Sequence, residues 1–169
     1  VLINSKSVHS FEYLKIRGIG AHLIAHQARS LGLTAIVLDF IEHWSKTDFV
    51  DVINKYVGKD TKIFGMSLTW VDSISNQHPD HTIGNYIVNN NINFMIDTVK
   101  SQAPDITVIA GGKKTLELYP VLNDKVDYFF DGYSESQFTD FLTGNRIFNK
   151  VINYDPEARE HPDYDFKFA

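Results

Sequence analysis

"ITVIAGGKKTLELYP", residues 106–120, runs a strand, two glycines, two lysines and a helical segment together without a spacer. Ile106 to Ala110 is β-branched and apolar at successive positions, as in a strand covered by helices on both faces. It then meets Gly111-Gly112, where backbone freedom costs stability unless the fold or a ligand needs it. The pair serves either a tight strand-to-helix turn or the close approach of a ligand to bare backbone. The neighbouring segments decide what kind of sheet this strand belongs to.

Working outward, the same alternation repeats along the chain. Val1 to Asn4, Thr34 to Leu38, Lys62 to Ser67 and Val126 to Phe130 read as further strands. Between them, Ala21, Ile24, Ala25, Ala28 and Leu31 recur at helical spacing and Gly32 closes the helix. Phe49, Val50, Ile53 and Val57 mark a second helix ended by Gly58, and Val88, Ile92, Met95 and Val99 a third that stops before Pro104. Leu116 to Leu122 and Ser136 to Leu142 complete the set. Strand and helix in steady alternation predict an α/β protein with a parallel sheet and right-handed crossovers. The best fit is a flavodoxin-like, Rossmann-like, doubly wound five-stranded sheet, which binds ligands at the carboxyl ends of its strands.

Two segments break the rhythm. Residues 72–91, "DSISNQHPDHTIGNYIVNNN", are polar and Asn-rich and lengthen the loop after the third strand. From Asn145 the chain reads as a short strand pair and then a Pro- and Asp-bearing linker, so the domain is placed at 1–145 and the strand and linker at 146–169.

With 169 residues, 43% of them apolar, the chain can bury the core of one domain. The net charge of −5 and scattered basic residues argue against a nucleic-acid surface. No apolar run reaches the ~20 residues needed to span a bilayer. The absence of cysteine excludes thiolate metal sites, disulfides and an iron–sulfur cluster within these residues, and fits a cytoplasmic setting.

The strand ends carry the candidate site: Ser67 and Thr69 after the third strand, Gly111 and Gly112 after the fourth, and Gly132, Tyr133 and Glu135 after the fifth. "FGMSLTW", "APDITVIAGGKKT" and "VDYFFDGYSESQFTDFL", in that order, resemble the cobalamin-binding-type N-terminal domain of radical SAM enzymes. That family shows "vvGiS", then "PDI.vvlGG", then "vDyvv.GEGE". The earlier "GIGAHLIAHQARSLGLTAIVLDF" is similar to its first helix and second strand. The resemblance spans about residues 1–145. It implies that the seven strand-end residues hold the nucleotide tail of cobalamin.

It also implies a partner, the chain's own C-terminal radical SAM barrel. That barrel would carry the iron–sulfur cluster and S-adenosylmethionine in a parent enzyme, a methyltransferase among the options. The domain alone catalyses nothing on this reading, and the parent's substrate is a small molecule or a macromolecule. Relatives with a DxHxxG motif ligate cobalt through its histidine; "HSFEYLKIRGIG" has no such motif. Family members often show GGPH where this chain has Gly111-Gly112-Lys113-Lys114, and the GEGE turn becomes Gly132-Tyr133-Ser134-Glu135.

Other constellations compete with this one. Gly18-Ile19-Gly20 with Asp39 suggests a dinucleotide fingerprint, but Leu23 stands where the third glycine belongs. His22 and His26 lie one helical turn apart, which suits a metal, yet solvent-exposed histidines are the simpler expectation. His78-Pro79-Asp80-His81 offers metal donors or a helix N-cap. Trp44, Trp70 and Tyr133 either stack on a flat ligand or pack the core. The rival to the cobalamin reading is a stand-alone flavodoxin-like interaction module without a cofactor.

Overall fold

The computed structural model describes residues 2–6, 19–39, 41, 44–70 and 92–153, with 2–6 and 69–70 described by their backbone alone. The 72–91 loop and the 154–169 part of the tail lie outside the described residues. Eleven elements follow in the order β1 (Leu2–Lys6), α1 (Ile19–Ser30), β2 (Val37–Leu38), α2 (Lys46–Tyr56), β3 (Ile63–Trp70), α3 (Asn93–Gln102), β4 (Thr107–Gly112), α4 (Thr115–Leu122), β5 (Tyr128–Asp131), α5 (Glu135–Thr143) and β6 (Val151–Ile152).

The strands form one parallel sheet in the order β2-β1-β3-β4-β5-β6. The expected alternation of strand and helix is therefore present. Among the described residues the expected C-terminal strand pair is one strand: Val151 and Ile152 extend the main sheet, pairing with Phe129 and Phe130. A two-residue strand carries too little alternation to announce its partner. Ile152 is buried, so the sheet's packing continues past residue 145.

Period-two alternation divides the sheet's side chains between two clusters. Phe64, Met66, Val108, Ala110 and Phe129 pack with Phe49 and Ile53 of α2, Ile96 and Val99 of α3, and Leu118 and Leu122 of α4. On the opposite face Ile109, Phe130 and Ile152 pack with Ala28 of α1 and Phe138 of α5. Trp44 leans on the first cluster, which resolves it as a packing residue.

Local signals explain where the helices begin and end. Ser45 and Asp48 form a capping box at the start of α2, each side chain accepting from the other's backbone N–H. After α1, Gly32 takes φ +79, Leu33 donates to Ala28 and Gly32 to Arg29, which closes the helix as its sequence predicts. No helix among the described residues is long and apolar enough to cross a membrane.

Candidate functional site

A cavity of about 530 Å³ opens between the sheet and the α1/α5 side, at the carboxyl ends of β3, β4 and β5. Small residues make up part of its floor. Gly65, Ser67 and Gly111 occupy alternate positions on this face, and Ser67 lies directly across from Gly111 in the β3–β4 register. Ala21, Leu23 and Ile24 of α1 contribute to the lining from one helix and Phe138 of α5 from the other. Phe130 of β5 meets Phe138 edge to face, with ring centroids 5.8 Å apart.

The two glycines of the opening stretch do different work. Gly112 has φ +117, a conformation that a side chain strains, so it makes the turn out of the strand. Gly111 has no positive φ; a Cβ there would meet Phe130 at an ordinary 3.7 Å. Its lack of a side chain leaves space in the cavity and serves no turn. Gly112 thus serves the turn, while Gly111 leaves bare backbone on the cavity side.

The turns at the rim are fastened to the strands that precede them. The buried Thr115 hydroxyl donates to the Gly112 carbonyl at 2.6 Å, and the buried Ser134 hydroxyl donates to the Asp131 carbonyl at 2.8 Å. The N-cap residues, Lys114 of α4 and Ser134 of α5, make no side-chain cap hydrogen bond. Across the mouth, the Lys113 ammonium stands 5.3 Å from the centre of the Tyr133 ring. Lys113, Lys114 and Glu135 are the charged residues that line the cavity among the described residues.

Six of the seven expected site residues, Ser67, Gly111, Gly112, Gly132, Tyr133 and Glu135, line this one cavity. Thr69 continues β3, and its side chain lies outside the described residues. The α1 contribution was not foreseen, because Ala21 and Ile24 read as an ordinary core stripe. Gly65 carried a usable signal, since a glycine inside a strand often marks close approach by a ligand or another backbone.

The competing constellations fare differently. His22 is half-buried and its Nε2 lies 2.9 Å from Asp39 Oδ2, so it is not the freely solvated residue expected, while His26 is exposed. That contact engages the carboxylate a dinucleotide reading would reserve for a ribose. Gly18, His78 to His81 and the side chain of Trp70 lie outside the described residues. Among the described residues no group of three His, Asp or Glu side chains could hold a metal ion. Compared with protein-family models, with curated proteins and with solved structures, the chain matches none.

Proposed function

We propose that this chain is a flavodoxin-like, doubly wound ligand-binding domain of the cobalamin-binding type that precedes a radical SAM barrel, and that its cavity takes the nucleotide tail of cobalamin. The observation that carries the reading is the gathering of Ser67, Gly111, Gly112, Gly132, Tyr133 and Glu135 around one cavity. Its position also suits ligand binding in open α/β sheets, where the crevice beyond the strand carboxyl ends is the usual place. The strand order, with β1 between β2 and β3, supports a reversal of winding beside β3.

The lining fits the tail. A volume of about 530 Å³ falls within the range of small-molecule sites. A floor of Gly65, Ser67 and Gly111 admits a flat ring against the backbone, and Phe130 and Phe138 supply apolar walls. No histidine is among the lining residues, so those described would hold the tail and leave the cobalt unligated by the cavity. Bound cobalamin would supply a cobalt-carried methyl group or radical chemistry to the barrel; this domain would bind and orient it.

Calorimetric titration with hydroxocobalamin and methylcobalamin tests the proposal, with the visible spectrum of any complex recorded alongside. Micromolar or tighter binding, weakened in a Gly111→Leu variant that blocks the floor, is the expected result. No heat and no retained colour would overturn it in favour of an interaction module without cofactor.

A further inference from the structure

The cavity's charges are arranged against the sign of the chain as a whole. The protein carries a net charge of −5, yet among the described residues the cavity lining holds two lysines and one carboxylate. Lys113 is exposed at the mouth and spans from the loop after β4 to the Tyr133 ring beyond β5. Beyond it the lining includes the apolar Phe130 and Phe138 and the bare backbone of Gly111. The starts of α4 and α5 reach the same rim, at Lys114 and Ser134, and no side chain caps either of them. Helix starts present backbone N–H groups and the positive end of the dipole, which adds to the lysines' field.

We infer that the cavity selects an aromatic anion: a flat apolar body on the glycine floor and a negative group, of phosphate or sulfonate type, at the mouth beside Lys113. Lys113 is the specificity-determining residue, and Tyr133 holds its ammonium over the opening through the ring face. Glu135 on the same rim opposes the anion, and Lys113 is the lysine that faces it from the mouth. This deepens the ligand-binding reading of the same site and names the ligand's chemistry independently of cobalamin.

The test compares two fluorescent probes that share an aromatic body, 8-anilinonaphthalene-1-sulfonate and the uncharged N-phenyl-1-naphthylamine. The sulfonate should bind more tightly and weaken as salt is raised, while the neutral probe should ignore salt. Lys113→Gln should weaken the sulfonate about threefold, the scale of a solvent-exposed charge pair, and leave the neutral probe unchanged. Lys113→Arg should restore binding. A Gly111→Leu variant should exclude both probes, which locates them in the cavity. Equal affinity for the two probes, or a sulfonate affinity indifferent to Lys113→Gln, overturns the inference. The cobalamin titration is a separate readout: cobalamin binding without charge preference sinks only the anion inference, and charge preference without cobalamin binding sinks only the cobalamin reading.

Discussion

Asp127 is tied twice to Val108. Its amide donates to the Val108 carbonyl at 2.8 Å, and its carboxylate accepts from the Val108 amide at 2.7 Å. The second bond satisfies a donor on a fully buried strand residue just where β5 has not yet begun. The Val126-Asp127-Tyr128 step thus sets the register by which Gly112 faces Asp131 and the two rim turns come level.

Asp127→Ala should therefore destabilise the protein by about 1–3 kcal/mol, because it leaves the Val108 amide without its acceptor. Asp127→Asn keeps an acceptor oxygen and should lose clearly less. Urea unfolding midpoints for the three proteins check this, and equal midpoints for Asn and Ala would show that the carboxylate bond does not fix the register.

The glycines at 111 and 112 should separate stability from binding. Gly112→Ala strains a backbone at φ +117 and should cost about 1–3 kcal/mol. Gly111→Ala places its Cβ at ordinary contact distance and should leave the unfolding midpoint nearly unchanged while weakening any cavity ligand. Thermal melts paired with probe titration distinguish the two, and a reversed order of stability would refute the division of roles.

Phe129 lies at the centre of the larger core, fully buried and edge-on to Tyr119 with ring centroids 5.0 Å apart. Phe129→Ala should cost about 3–5 kcal/mol by loss of burial and creation of a void. A loss below about 1 kcal/mol in equilibrium unfolding would mean the two sides of the sheet close up far more readily than packed interiors do.

The capping box of α2 should make its contribution pH-dependent. The Ser45 hydroxyl and then its amide, both donating to the carboxylate, hold Asp48 below the usual value of 3.8. A carboxyl group depressed in the folded state stabilises above its unfolded pKa and loses that contribution as pH falls through the lower folded value. Asp48→Asn should therefore lower the melting temperature at pH 7, with the gap to wild type closing below about pH 4. A gap that stays constant across that range would rule out the ionised cap.

Much of this was legible because the informative residues repeat in register with the elements. β-branched runs marked the parallel strands, and the small residues at their ends marked the cavity that Ser67, Gly111 and Gly132 line. What stayed hidden had no local signature. An apolar stripe such as Ala21 and Ile24 looks the same whether it faces side chains or an opening, and a strand as short as Val151–Ile152 is specified by its neighbour Phe129 more than by itself. His22 read as solvated because nothing in its own helix announces Asp39, seventeen positions away.

The bare floor at Gly65 and Gly111 gives an occupant of the cavity a place inside the protein's architecture. It would touch strands below and helices above, finishing a layer that the side chains leave incomplete. Ligand and chain would then melt together, and the melting temperature itself would report occupancy. At a free concentration of about 100 times Kd the gain is about 2.7 kcal/mol, enough to read from heat denaturation before any chemistry is known.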